Sequence, residues 1–338
     1  MAKYMQMNVK DFKGGNSNDF TEGWNLSTTS VAYFTIAGIP GLHEMTSRII
    51  LFMFFLIIYT IAFIENFAIV IVIKVDHALH SPMYFLICNL AFLDLLIPSV
   101  TIPEMLYYII TEDRSIAFGP CVIQMACYLT FLVTECVILV VMAYDHYQAI
   151  CNPLLYPTIM TTKHVVVLSA FCWMVGIVEA VLRVCFILNA PFCGPNKIEY
   201  FCCDYSSIIL LACADVYVQS TYDKIMSLIL VSLQVFLVLF SYGKIISAVL
   251  RISSAEGRRK AFSTCASHFL VIGVFYFVIA FVLISYGVPG FSEQVRTLAA
   301  IVQNIVPPLV NPVIYCAKTK EIRVSIIKFI NKWKLGQP

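Results

Sequence analysis

Charged side chains are scarce in this sequence: Asp, Glu, Lys and Arg together make up 12% of its 338 residues, about half the share of a soluble domain. An ordinary water-soluble enzyme is thereby excluded. The net charge is only +2, and no basic block lies outside the short segments between apolar runs, so a nucleic-acid surface is missing as well. His43-Glu44 lacks the second histidine of a zinc-binding HExxH, and neither a nucleophile elbow nor a phosphate-cradling glycine loop occurs. An enzyme is not expected. Nor is a transporter, which would show internal repeats or several charges along a path. Residues 1–30 are polar, rich in Asn, Ser, Thr and Gly, and hold no apolar core of the kind a cleaved leader requires.

What the sequence has in abundance is hydrocarbon. Apolar residues make up 60% and the mean hydropathy is +0.85. They gather in seven runs, about 49–73, 83–108, 121–146, 165–188, 222–247, 266–286 and 296–316. Each has the roughly 20 residues that one helix needs to cross a bilayer. The expected fold is therefore an all-α membrane protein. An extracellular tail (1–48) leads into a seven-transmembrane helix bundle (49–317), and a cytoplasmic amphipathic helix and tail follow (318–338). In that last segment Ile322, Ile326, Ile327, Ile330 and Trp333 recur at helical spacing among Lys and Arg. Thirteen of the 22 Lys and Arg fall on one side of this map. Positive residues mark the cytoplasmic side, which puts the N-terminus outside and makes the acceptor sequence Asn25-Leu26-Ser27 usable for glycosylation.

The same map sorts the cysteines. Cys88, Cys127, Cys136, Cys172 and Cys185 lie within apolar runs, where a thiol behaves as a small hydrophobe. Cys121, Cys193, Cys202, Cys203 and Cys213 lie on the outer side, where two bridges with one cysteine left over is the simplest arithmetic.

Polar groups at membrane depth need partners. Asn66, next to Glu65, is expected to tie the first helix to the second and seventh. Asp94 is a lone acid whose unpaired charge would cost on the order of ~3 kcal/mol. Glu135 of the third run is its best partner, and two carboxylates there require a proton or a cation between them. Glu179 and Arg183, four residues apart, pair on one helix face. Ser81 and Pro82 suit the start of the second helix. Tyr128, Leu129, Leu132 and Val133 form one stripe at helical spacing on the third helix. That helix closes on Asp145-His146-Tyr147 before Asn152-Pro153, an acid beside a potential cation at the inner boundary. Pro312 frees a backbone carbonyl, while Asn311 and Tyr315 supply polar groups able to change partners.

Five stretches, in order, resemble odorant receptors, a family of seven-helix G-protein-coupled receptors: PMYFLICNLAFLDL at 82–95, MAYDHYQAICNPLLYP at 142–157, APFCGPNKIEYFCCD at 190–204, KAFSTCASH at 260–268 and PPLVNPVIYCAKTKEI at 307–322. The resemblance implies a small, mostly apolar volatile ligand in an outer-side cavity. The third-helix stripe would line it, with Met226, Ser227 and Leu230 of the fifth helix and Tyr276, Ile279, Ala280 and Leu283 of the sixth. It implies coupling through Asp145, His146, Tyr147, Tyr242 and Lys260 to a stimulatory, olfactory-type G protein that raises cyclic AMP. It further implies a plasma-membrane, multi-pass location, the disulfides Cys121–Cys203 and Cys193–Cys213, and no cofactor beyond a sodium ion held by Asp94 and Glu135 with Asn311 near. A protonated carboxyl pair is the alternative to the ion.

The chain also departs from the family pattern. His146 stands where the family has arginine, and a weakened off-state lock, impaired coupling and a harmless variant all remain open readings. Cys202 replaces a phenylalanine and either competes with Cys203 for Cys121 or stays a free thiol. Glu65 replaces a glycine.

Overall fold

The computed structural model describes residues 32–39, 44–193, 196–287 and 290–334, with the backbone alone at 260–265, 267, 283, 285–287, 293, 318 and 332–334. Asn25 and the side chains of Lys260, Leu283 and Trp333 lie outside the described residues. The helices follow in the order α1 (Met45–Val75), α2 (Pro82–Thr111), α3 (Phe118–Cys151), a short α4 (Tyr156–Ile159), α5 (Thr162–Leu188), a short α6 (Tyr205–Ile209), α7 (Tyr217–Leu250), α8 (Ala255–Gly287), α9 (Glu293–Lys318) and α10 (Lys320–Lys334). The seven long helices form a membrane-spanning bundle. Six are apolar over a membrane's thickness, and in α8 the apolar part is the shorter His268–Val282.

Every long helix runs past the apolar segment that announces it. The largest difference is α8, which begins at Ala255 rather than near 266. Hydropathy reports only the part in hydrocarbon, whereas Ala255, Glu256, Arg258 and Arg259 are helix formers that continue the helix into water. Glu256 in the first turn suits the positive end of the helix dipole. Ser81 does occupy the N-cap of α2 ahead of Pro82, but its hydroxyl makes no capping bond.

α2, α3 and α9 form the buried centre, and α7 is the most peripheral span. α3 packs on α2, α5, α7 and α8, while α1 packs on α2 and α9. Small residues let membrane helices approach closely. Gly176 of α5 is such a point, because a Cβ there would collide with the Thr134 hydroxyl and the Thr130 carbonyl of α3.

One element is unannounced by any apolar run. At the end carrying the disulfides, β1 (Tyr33–Ile36) pairs antiparallel with β2 (Ser115–Ala117) and parallel with β3 (Lys197–Ile198), in the order β2-β1-β3. Alternation buries Phe34 and Ile36, and Phe34 meets Phe118 at 5.7 Å and Phe192 at 5.8 Å. At the opposite, basic end, the Asp76 carboxylate accepts a bond from the Ser325 hydroxyl at 2.6 Å, which pins α10 to the α1–α2 turn. That bond, with one from the Ala78 amide, holds the Asp76 carboxyl below its usual range.

Candidate ligand and signalling sites

The disulfide-bearing end is fastened by more than its bridges. Cys121–Cys203 and Cys193–Cys213 are formed, with Cα separations of 5.4 and 5.9 Å. Cys202 remains a free thiol, buried, and burial pushes it well above the usual thiol range. Gln124, one turn below Cys121, accepts from the Cys203 amide at 2.8 Å, and its own amide donates to Val100 O at 2.9 Å and to the Glu104 carboxylate. The loop is thus tied to both α2 and α3. Arg48 of α1 donates to the Ile109 and Ile110 carbonyls at 2.7 and 2.6 Å and pairs with Glu112, closing the exposed end of α2.

Glu179 and Arg183 do pair, at 2.5 Å, but the unit is larger than one helix face. Arg183 also donates to Asp223 of α7 at 3.0 Å, the Ser206 hydroxyl donates to Asp223 at 2.8 Å, and Tyr205 and Tyr222 present their rings to the guanidinium at 5.6 Å. One buried cation therefore joins α5, α6 and α7.

The cavity residues expected from the sequence do not stay together. Leu129, Leu132, Val133, Met226, Leu230, Tyr276 and Ile279 are buried or half-buried on α3, α7 and α8. α7 shows how this region differs from the basic half. Its inward face is sealed at Gln234, Val238, Tyr242, Ile245 and Val249, yet Ser227, seven residues above Gln234 and on the same face, is exposed. α7 is therefore fully buried against the bundle from Gln234 downward and only half-buried above it, up to the Asp223 bond to Arg183. Tyr128 turns elsewhere: its hydroxyl accepts from Asn304 of α9 at 3.3 Å, and Asn304 in turn accepts from Thr101 of α2 at 3.2 Å. Ala280 drops out of the inward row, because it shares the exposed side of α8 with Phe277 and Ile284.

Deeper, the Asn311 amide donates to Asp94 Oδ2 at 3.0 Å. Asp94 Oδ1, Glu135 Oε1, Asn311 Oδ1 and Asn66 Oδ1 are buried with no hydrogen-bond partner, as is the Tyr315 hydroxyl. The two carboxyls lie close enough to interact electrostatically. All the unsatisfied acceptors are hard oxygen atoms, a donor set that fits an alkali or alkaline-earth cation better than a thiolate- or imidazole-seeking metal. Asn66 ties α1 to α9, donating at 2.7 Å to Pro308 O, the carbonyl that Pro312 leaves without its helical partner.

At the basic end the acid and the histidine go separate ways. Asp145 Oδ1 accepts from the Tyr156 hydroxyl of α4 at 2.9 Å. His146 Nδ1 lies 2.8 Å from Met142 O and, facing a carbonyl, must carry the proton. The His146 ring stacks on His268 of α8 at 4.7 Å, and His268 Nδ1 meets the Tyr242 hydroxyl of α7 at 2.9 Å. α3, α8 and α7 are thereby linked through aromatic and polar contacts. Tyr147, half-buried, flanks this chain.

A family profile described as "Olfactory receptor" matches residues 55–332. The chain belongs to the olfactory receptor family. It is 37% identical over 302 residues to human olfactory receptor 11H4, covering 89% of this chain and 92% of that one. With human olfactory receptor 2A12 it shares 39% identity over 289 residues, 85% of this chain and 92% of the relative. Mouse olfactory receptor 6B9 is 36% identical over 303 residues, 89% and 95% of the two lengths. The receptor is thus a G-protein-coupled signalling protein of a family that detects odorants, and not an enzyme. Sequence reasoning missed Gln124, Gln234, His268 and Asn304 of this receptor. Gln234 and Asn304 carried a usable signal, since a polar residue inside an apolar run needs a partner. His268 and Gln124 become informative only once their neighbours on other helices are known.

Proposed function

We propose that this receptor binds small, mostly apolar volatile molecules between α3, α7 and α8 at the disulfide-bearing end and activates a stimulatory, olfactory-type G protein, raising cyclic AMP. The observation that carries the reading is α7, fully buried against the bundle in its basic half and only half-buried above Gln234, in a chain of this family. Leu129, Leu132, Val133, Met226, Leu230, Tyr276 and Ile279 form the apolar wall, and a ligand acts by favouring one of two pre-existing arrangements of α8. Asp145, His146, Tyr147, Tyr242 and Lys260 form the coupling end. The receptor lies in the plasma membrane with its N-terminus outside, as the basic residues at the opposite end favour.

Asp94, Glu135 and Asn311 would hold a sodium ion in the resting form, and the ion would supply the positive charge that the unsatisfied oxygens lack. Asp94→Asn is expected to abolish any sodium dependence of ligand potency. The test of function is ligand-dependent cyclic AMP in cells co-expressing an olfactory-type G protein, across a panel of volatiles, with the native chain and His146→Arg at matched surface expression. A response to volatiles supports the reading, whereas a response confined to another G-protein class overturns its coupling part.

A further inference from the structure

Beneath the apolar wall lies a polar floor that the fold leaves partly unsatisfied. Cys136 follows Leu132 by one turn of α3, Gln234 follows Leu230 by one turn of α7, and Tyr276 precedes Ile279 by one turn of α8. The three neighbour one another: Cys136 and Tyr276 belong to one core cluster, and the Gln234 and Tyr276 side chains both act electrostatically on the Cys136 thiol. Gln234 is 5% exposed, yet its Oε1 has no hydrogen-bond partner, and the buried Tyr276 hydroxyl has none either. Buried polar atoms are almost always paired in folded proteins, so two orphans around one thiol call for a missing group. They also specify its chemistry. An amide oxygen only accepts, while a phenol can donate; a group that both donates and accepts satisfies the pair.

We propose that this floor recognises a hydroxyl, so that the receptor prefers aliphatic alcohols: the ligand O–H donates to Gln234 Oε1 and its oxygen accepts from the Tyr276 hydroxyl. The inference rests on the receptor reading above and narrows its ligand class. Ethers, aldehydes and ketones offer an acceptor alone and leave Gln234 Oε1 bare, so they bind the same wall with one bond fewer. A carboxylate would set its charge against the Gln234 oxygen. The chain of the alcohol points up between the half-buried Leu132, Leu230 and Ile279.

The experiment compares an alcohol series with methyl ethers and aldehydes of matched chain length, reading cyclic AMP potency at matched surface expression in the native receptor, Gln234→Met and Tyr276→Phe. Native receptor should respond to the alcohols at about tenfold lower concentration than to the ethers, the scale of one net hydrogen bond. Gln234→Met should erase that preference, bringing alcohol potency to that of the ethers, and Tyr276→Phe should weaken all three series. If Gln234→Met fails to reach the surface, Gln234→Asn, which withdraws the amide by one methylene, is expected to show the same selective loss. Equal potency of alcohol and ether in the native receptor would overturn the proposal. So would a Gln234→Met effect that is absent or equal across the series, the signature of a floor filled by a bound water. Cyclic AMP above that of untransfected cells without ligand reads coupling separately. A coupled receptor with no alcohol preference removes this inference and leaves the receptor function standing.

Discussion

The imidazole of His146 lies nearly parallel to that of His268, with 17° between the planes and 4.7 Å between the centres. This stack, not a bond to the adjacent Asp145, is the polar contact that His146 makes across the bundle, and Asp145 is engaged by Tyr156 instead. The two rings join α3 to α8; if that contact restrains α8, its loss has a readable effect. His146→Ala and His268→Ala are each expected to raise ligand-independent cyclic AMP several-fold. Residues in contact are not additive, so the double substitution should raise it no further than the larger single effect. Additive single effects would show that the rings act separately.

Arg183 pairs with both Glu179 and Asp223. Breaking a buried ion pair by removing one partner typically costs about 3–5 kcal/mol, because the other charge is left bare. Arg183→Met should therefore lower the melting temperature of the purified receptor sharply. Adding Glu179→Gln and Asp223→Asn should recover most of the loss, whereas a purely packing role for Arg183 would leave it unrecovered.

Asp204, in the outer loop at the N-cap of α6, has its carboxyl pushed from 3.8 up to about 6 by burial, with Asp223 adding to the effect. Between about pH 4 and 6 the folded receptor then holds a proton that the unfolded chain has released. Stability must rise as pH falls through that window and lose this contribution above it. Melting measured from pH 4 to pH 7 should show that slope, and Asp204→Asn should flatten it. An unchanged slope in the variant would assign it to another group.

Gly176 sits where α5 crosses α3, with the Thr134 hydroxyl and Thr130 carbonyl in the space a side chain would need. Gly176→Ala should destabilise by about 1–3 kcal/mol, the usual range for overpacking, and Gly176→Val by more. Gly273, which has open space around its Cβ position, is the control: Gly273→Ala should leave stability and surface expression nearly unchanged.

Cys202 is buried in the outer loop and outside both disulfides. Thiol reactivity follows thiolate content and access, and Cys202 has little of either. An impermeant maleimide applied to intact cells should leave it unlabelled, with labelling appearing only after denaturation. Labelling in the native state would show that the loop opens.

Where apolar runs meet hydrocarbon, the sequence was an accurate guide. Each of the seven runs lies within a long helix, because a segment with no water to bond must bond to itself. Asn66 was legible in part: expected to tie the first helix to the second and the seventh, it reaches the seventh, at the carbonyl that Pro312 frees, and makes no hydrogen bond to the second among the described residues. Helix ends were not legible, because α8 starts at Ala255, about eleven residues before its apolar run, in water where hydropathy carries no signal. The strand Tyr33–Ile36 was hidden for a similar reason, since four residues form a strand only when Ser115–Ala117 and Lys197–Ile198 lie beside them.

The sequence by itself determined the spanning helices, the polar residues buried among them, the outer cysteines and the family resemblance. Each follows from the solvent that a residue must meet or from a local string of residues. Only the tertiary structure decided partnership: that His146 faces His268 and not Asp145, that Tyr128 belongs to Asn304, that Ala280 turns outward, and that Gln234 and Tyr276 share a floor around Cys136. The physical reason is that burial in hydrocarbon requires a polar group to have some partner, while helix rotation and crossing, set by packing over the whole bundle, choose which one.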